Sequence, residues 1–312
     1  MAVEKVGISG TGLLSVLSLP EAYRMIREAG FDAVDANINR ALPSKLIKAG
    51  TLFEKFSSEG ELLDCVRPFG DAAKEYGLEH YQSHAPFPVW CGDPAADEKM
   101  PEVTRWFIHA ADAIDCRRLV VHPVRGYRAA PLTAREAEDK TMEFMAELIP
   151  AAKEYGVTVC LENMFAGHII NRVNKLFAST CADAEQVCRM VDGLNALAGQ
   201  ECFGFCLDTG HLLLVGQDIR EFLPKLGHRL KALHVHDNNT LIDQHVAPYM
   251  GAQDWEWFED AVAQSDFDGV LNFEISGVWD IVHPDLWPQT LGWIAQCGRM
   301  MARHITEKRS NL

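Results

Sequence analysis

The sequence predicts a (β/α)8 TIM barrel, on two observations. Eight short apolar runs alternate with eight stretches of helical periodicity along the 312 residues. Four of the runs end in a side chain able to bind a metal: Val157-Thr-Val-Cys-Leu-Glu162, Phe203-Gly-Phe-Cys-Leu-Asp208, Leu230-Lys-Ala-Leu-His234 and Gly269-Val-Leu-Asn-Phe-Glu274. A buried strand carries a carboxylate at its end only where something compensates the charge. Four such ends point to one shared divalent cation, and a barrel is the architecture that brings many strand ends to one face.

In chain order, strands are expected at 3–9, 33–37, 80–84, 118–122, 158–163, 204–208, 231–236 and 270–275. The helices that follow them are expected at 20–29, 59–76, 97–115, 133–155, 182–197, 218–226, 254–265 and 288–307. The rival architecture, a doubly wound open sheet, wants a glycine-rich turn after its first strand, and Gly7-Ile-Ser-Gly10-Thr-Gly12 lacks the G-x-G-x-x-G spacing. The whole chain, 1–312, therefore reads as one barrel domain with long loops at about 37–58, 86–97 and 276–287. The first loop carries Arg40, Lys45, Lys48, Phe53 and Phe56. The second carries Phe87 and Trp90, and the third Trp279, His283 and Trp287. Loops of that length on a compact domain are commonly lids or binding loops.

Hydrophobic residues make up 48% and charged residues 23%, as in an ordinary globular protein with an ample core. The net charge of −15 repels nucleic acid phosphates and acidic membranes, so neither is an expected partner. Nine cysteines without a C-x-x-C argue for buried reduced thiols. The opening Met1-Ala-Val-Glu-Lys has no signal-peptide pattern, and the apolar stretch 11–19 is too short to span a bilayer. A cytoplasmic location is the expectation.

More ligand-type residues sit near the four strand ends. His84 and His122 close the third and fourth strands, His211 lies three residues past Asp208, and Asp243 and His245 follow the seventh strand. Taken singly, a strand-end histidine is more often a hydrogen-bonded core residue than a ligand. The joint pattern, one residue per strand end, is much harder to reach by accident. The oxygen-rich set Glu162, Asp208, His234 and Glu274 favours Mn²⁺ or Mg²⁺, with Co²⁺, Fe²⁺ and Zn²⁺ also compatible.

Glu162-Asn163, Leu207-Asp208-Thr-Gly-His211, Leu233-His234-Val-His236-Asp237-Asn238, Asp243-Gln-His245, Gly251 with Asp254-Trp255, and Phe273-Glu274 together resemble the xylose-isomerase-like TIM-barrel superfamily. That superfamily includes sugar phosphate isomerases and epimerases, ketose 3-epimerases, inosose dehydratases, C-glycoside deglycosidase large subunits and class II AP endonucleases. The resemblance implies one catalytic divalent ion, Mn²⁺ foremost, held by Glu162, Asp208, His234 and Glu274. It implies that His211 contacts substrate. In the AP endonuclease branch His84, His122, His211, Asp243 and His245 match further ligands of a zinc cluster. One departure stands out. Ketose 3-epimerases carry an arginine six residues after the metal histidine, where this chain has Thr240.

The resulting expectation is proton abstraction next to a carbonyl of a keto-sugar. Glu162 and Glu274 serve as acid and base, assisted by His211 and His236. Substrate contacts fall to His84, His122, Arg125, Trp90, Asp243 and His245, with Arg40, Tyr127, Arg128 and Arg172 as further polar candidates. An isomerase or epimerase is the leading reading. The alternative is a lyase or dehydratase of the same site chemistry, such as a C-glycoside deglycosidase acting on a 3-oxo-glycoside with a small partner subunit, where Trp90, Trp279 and Trp287 would suit a flat aglycone. A phosphodiesterase is least expected. An oligomer is also expected.

Overall fold

Alternation along each strand sorts its side chains between the barrel interior and the surrounding helices. The computed structural model describes residues 3–48, 51, 55–127, 129–170 and 173–312. Eight parallel strands form the barrel: β1 (Val6–Ser9), β2 (Ala33–Asp35), β3 (Ser83–His84), β4 (Arg118–Val121), β5 (Thr158–Glu162), β8 (Phe203–Asp208), β9 (Leu230–His234) and β10 (Leu271–Phe273). Between β5 and β8 the chain inserts an antiparallel hairpin, β6 (Phe165–Ile170) and β7 (Val173–Ala178). Ladders run β10-β1-β2 and β3-β4-β5-β8-β9. Two seams close the ring. Val34 N donates to Glu79 O at 2.8 Å, and Val235 N donates to Asn272 O at 2.8 Å.

Inward positions step by two. Val120, Cys160, Cys206 and Ala232 form a small cluster of their own inside the barrel. One step further along the same strands come His122, Glu162, Asp208 and His234. The outward positions, among them Leu119, Val121, Val159, Leu161, Phe205, Leu207 and Phe273, join the main core under the helices. The strand ends that carry ligand-type residues are thus the inward, top layer of the barrel.

The helical layer comprises α1 (Leu19–Glu28), α3 (Glu59–Tyr76), α5 (Met100–Ala113), α6 (Ala134–Ala146), α7 (Ile149–Tyr155), α8 (Ala184–Ala198), α10 (Ile219–Leu226), α11 (Trp255–Ala263) and α13 (Trp287–Arg309), with short α2 (Ser44–Lys48), α4 (Pro94–Asp97), α9 (Thr209–Leu214) and α12 (Val278–Ile281) in the loops. The helix expected over 133–155 is two helices, because Pro150 in the first turn of α7 cannot donate and starts a new one. The same holds at Pro101, where the expected 97–115 helix begins anew as α5. No strand or helix is expected between 163 and 182, where the structure forms the β6–β7 hairpin, whose strands pair only with each other among the described residues. Strand β3 is two residues long rather than five. Phe53, Arg128 and Arg172 lie outside the described residues.

All nine cysteines are free. No described helix is long and apolar enough to cross a membrane.

The closing helix sets a packing test. A Cβ on Gly298 of α13 would lie 2.6 Å from Phe273 Cε2 and 2.7 Å from Val6 Cγ1. Gly298→Ala gains about 1 kcal/mol of helix propensity but overpacks a closed interface at a cost of about 1–3 kcal/mol. A lower denaturation midpoint in guanidinium is the expected result. An unchanged or higher midpoint would mean that helix and barrel separate without cost.

Candidate metal centre

Three ligand groups meet on the rim, and two of them share Glu162. Glu162, Asp208, His234 and Glu274 form the central group. His84, His122 and Glu162 form a second. His211, His236, Asp243 and His245 form a third. Within each group the ligand atoms lie within 4.8 Å of one another. The expected constellation is brought together by six of the eight barrel strands or the loops directly after them.

Glu162 is the hub. Its Oε1 lies 2.8 Å from His234 Nδ1. Its Oε2 lies 3.0 Å from His122 Nε2 and 3.4 Å from His84 Nε2. Glu274 Oε2 is 3.5 Å from His234 Nδ1 and 3.5 Å from His245 Nδ1. Asp208 has two tasks. Its Oδ1 caps α9 by accepting His211 N at 2.7 Å, and its carboxylate also meets His236 Nε2 at 2.9 Å. The Asp-Thr-Gly-His spacing is therefore a helix start as well as a ligand pair. Gly210 within it is forced, since a Cβ there would fall 1.9 Å from His236 Cε1.

Backbone carbonyls settle three tautomers. His84 Nδ1 faces Ala85 O at 2.6 Å, His211 Nδ1 faces Asn163 O at 2.8 Å, and His245 Nδ1 faces Glu274 O at 3.0 Å. A carbonyl only accepts, so each Nδ1 carries a proton, and each Nε2 is the nitrogen that would offer a lone pair to an ion. Nε2 of His211 and of His245 then point at Asp243 Oδ2, at 3.3 and 3.0 Å.

The residues fit a cation. Glu162 Oε2 and Asp243 Oδ1 are buried and form no aligned hydrogen bond with any described residue, although imidazole nitrogens stand close to both. Nitrogen and oxygen aimed at a common point without bonding each other is the disposition of co-ligands. Four carboxylates, of Glu162, Asp208, Asp243 and Glu274, crowd this volume, and without an ion imidazole protons supply the compensation. Burial works against the charged form of His211, but Asp208 and Asp243 outweigh it and push its pKa up to about 10. His245 is likewise pushed up to about 9, against burial, by Asp243 and Glu274. Burial dominates at His122 and depresses it to about 4. For Glu162, burial is outweighed by His234 and His122, which hold it well below the usual carboxylate range.

A rigid loop delivers Asp243 and His245. The carboxylate of Asp237 accepts from Asn238 N, Gly251 N and Gln253 N, each at 2.9 Å, and from Trp255 Nε1 at 3.3 Å. A Cβ on Gly251 would lie 2.3 Å from Asp237 Oδ1. That explains the Gly251 and Trp255 parts of the motif, which belong to the clamp, while Asp254 caps α11 by accepting from Trp257 N at 3.1 Å. Thr240, His245 and Tyr249 in this loop hold left-handed φ of 66°, 46° and 69°, backbone strain that the clamp sustains.

The other expected substrate contacts divide. Arg125 borders the centre. It donates to Phe165 O at 3.0 Å, and the Phe165 ring stands edge-on to His211 at 5.0 Å. Trp90 is elsewhere, in a groove with Asp97, Pro101, Lys140 and Glu143, the Lys140 ammonium 6.0 Å from its ring centroid. Trp279 and Trp287 are buried against each other with centroids 5.6 Å apart, and Trp279 fills the space left by Gly12. These three indoles are packing, and the flat-aglycone platform imagined from the loops is not formed by them. The aromatic ring at the centre is Phe87, stacked on His122 at 4.6 Å. Two contributors went unread in the sequence, Phe87 as a stacking group and Asp35 at the end of β2. A Val-Asp-Ala-Asn strand end was the available signal for the second.

Residues 23–297 match the family described as xylose isomerase-like TIM barrel. An uncharacterized protein of Sinorhizobium fredii is 32% identical over 109 residues, 34% of this chain and 35% of that protein, so the chain spans about a third of that relative's length. Among solved structures, a D-tagatose 3-epimerase-like protein superposes with a TM-score of 0.70 at 20% identity, covering 99% of both chains. An IolI protein with a bound zinc atom superposes with a TM-score of 0.67 at 18% identity, covering 98% of both.

Proposed function

The chain belongs to the xylose isomerase-like TIM-barrel family, and from that premise we propose that it is a divalent-metal-dependent enzyme that moves a proton beside the carbonyl of a keto-sugar or oxidised sugar, an epimerase or isomerase. One observation carries the reading: two glutamates, Glu162 and Glu274, converge on the same nitrogen of His234, Nδ1, at 2.8 and 3.5 Å, with ligand atoms within 4.8 Å of one another. Glu162, Asp208, His234 and Glu274 would hold the ion, Mn²⁺ foremost. The ion's contribution when bound is to polarise the substrate carbonyl and stabilise negative charge on its oxygen.

The two glutamates are not equivalent. Glu162 is fully buried and tied to three imidazoles, whereas Glu274 retains 18% side-chain exposure and only 3.5 Å contacts. Glu274 therefore faces the substrate side, with its second oxygen available to take the proton from the carbon beside the carbonyl. The C–H electron pair moves into a C–C double bond and the carbonyl oxygen takes the negative charge, which gives an enediolate. A carboxyl group on the opposite face returns a proton and the carbonyl re-forms. His211, His245 and His236 orient hydroxyls. Arg125 borders the same space. The substrate enters as a small sugar or glycoside.

Metal analysis of purified protein, followed by a panel of ketoses and 3-oxo-glycosides with added Mn²⁺, tests the proposal. Isomerised or epimerised product is expected. Release of an aglycone instead would select the lyase alternative and prompt a search for a small partner subunit. Activity on none of the panel would reject both. A second reading has its own observation: three ligand groups with three carbonyl-fixed histidines can hold a cluster, as a phosphodiesterase requires. Three zinc ions per chain with cleavage of an abasic-site DNA would favour it, against a net charge of −15 that disfavours nucleic acid.

Proton transfer predicts isotope behaviour as well. Turnover in deuterated water should place deuterium on the substrate carbon, because the proton returned comes from a second carboxyl that has exchanged with water. Quantitative intramolecular transfer of a substrate hydrogen label would instead indicate hydride transfer and remove the enediolate route.

A further inference from the structure

His234 is set the opposite way round from the other rim histidines. His84, His211 and His245 turn Nδ1 to a backbone carbonyl and leave Nε2 to the centre. His234 instead presents Nδ1 to the centre, 2.8 Å from Glu162 Oε1 and 3.5 Å from Glu274 Oε2. Its Nε2 faces a carboxylate, Asp35 Oδ2, at 3.5 Å.

Asp35 sits at the end of β2 and is fully buried, like the His234 imidazole. Its partners are otherwise neutral: Asn37 N at 3.2 Å on Oδ1 and Gln82 Nε2 at 3.4 Å on Oδ2. No lysine or arginine pairs with it among the described residues. A buried carboxylate so placed costs free energy unless a positive or strongly polar donor answers it. His234 Nε2 forms no aligned hydrogen bond with any described residue, and the Asp35 carboxylate at 3.5 Å is the acceptor that faces it. Each group supplies what the other lacks. Strands β2 and β9 are not neighbours in the barrel, so this pairing crosses its interior.

We propose that Asp35 is the positioning carboxylate of the central metal position: it accepts the Nε2 proton of His234, fixes the tautomer, and so reserves the Nδ1 lone pair for the ion. A carboxylate is a stronger acceptor than the carbonyls behind the other three histidines. It holds His234 as the anchor for the ion shared with Glu162, Asp208 and Glu274. The inference rests on the metal-dependent reading above, but not on the reaction assigned to it.

Titration of the full metal-stripped chain with Mn²⁺ and with Co²⁺, followed by calorimetry and cobalt absorbance, tests it. Asp35→Asn keeps the shape and one acceptor oxygen. Its Kd for either ion should rise about 10–100-fold, the usual cost of losing such a partner. The thiol of Cys206 also borders the imidazole, and Cys206→Ala should leave Kd unchanged. A second measurement needs no variant. In ¹⁵N-histidine-labelled protein loaded with Zn²⁺, His234 should show a proton on Nε2 and the metal on Nδ1, with that proton signal strongly downfield. A folded Asp35→Asn chain with unchanged Kd, or coordination through Nε2 in the wild type, overturns the assignment alone. A wild-type chain that binds no divalent ion overturns the functional reading with it.

Discussion

Glu162→Gln should abolish turnover and lower the metal content together. Three imidazoles converge on this carboxylate, and it belongs to two of the three ligand groups. The amide keeps the size, removes the charge and turns an N–H₂ towards nitrogens or an ion that want an acceptor. A general acid or base contributes about 10²–10⁴-fold to rate, and the lost ligand adds to that. Glu274→Gln, at the more open position, should lose rate in the same range while retaining most of the metal. Steady-state rates and metal content measured on the same preparations separate the two. A Glu162→Gln chain with full metal and wild-type turnover would remove Glu162 from both tasks.

Chelation is the second large effect. EDTA treatment should take activity to background, and Mn²⁺ should restore it. Stability moves with it. At an ion concentration about 100 times Kd the linkage is about 2.7 kcal/mol, which for a chain this long raises the melting temperature by roughly 5 °C. The effect depends on pH in a defined direction. In the metal-free protein His211 and His245 are raised from 6.5 to about 10 and about 9 by Asp208, Asp243 and Glu274. Raised histidines stabilise the folded chain fully below their unfolded pKa near 6.5, and that stabilisation is lost as pH rises through about 9 to 10. An ion held by Asp208 and Glu274 competes with the imidazolium protons for the same negative charge, so its affinity rises with pH over that interval. The melting temperature of the metal-free protein should therefore fall towards pH 10 while the metal-loaded protein holds its own. Parallel curves for the two forms would show that the ion binds elsewhere.

Much of this site was legible along the chain because strand ends in a barrel are addressed by position. An inward-facing residue two steps past a small apolar one, as Glu162 past Cys160 or His234 past Ala232, lands on the rim whatever the loops do. The strand-end positions of Glu162, Asp208, His234 and Glu274, which the structure brings within 4.8 Å of one another, could be read from local pattern and spacing. Roles that depend on who stands across the barrel could not. Asp35 looks like an ordinary strand-end polar residue until closure of the ring sets it 3.5 Å from His234. Phe87, read as one aromatic in a long loop, becomes a stacking partner of His122. Trp90, Trp279 and Trp287 looked available in the sequence, but burial and packing decide their use.

By itself, then, the sequence determined the barrel, its order of strands and the rim positions of Glu162, Asp208, His234 and Glu274, because side-chain alternation and hydrophobic period are local properties of the chain. The tertiary structure alone decided which nitrogen of each histidine faces the centre, which glutamate is enclosed and which is open, and which aromatic rings are core. Apart from His84, which bonds the carbonyl of its own neighbour Ala85, those choices depend on hydrogen-bond partners and packing neighbours tens to hundreds of residues away. Distances of 3–4 Å between such groups are set by closure of the barrel, not by spacing along the chain.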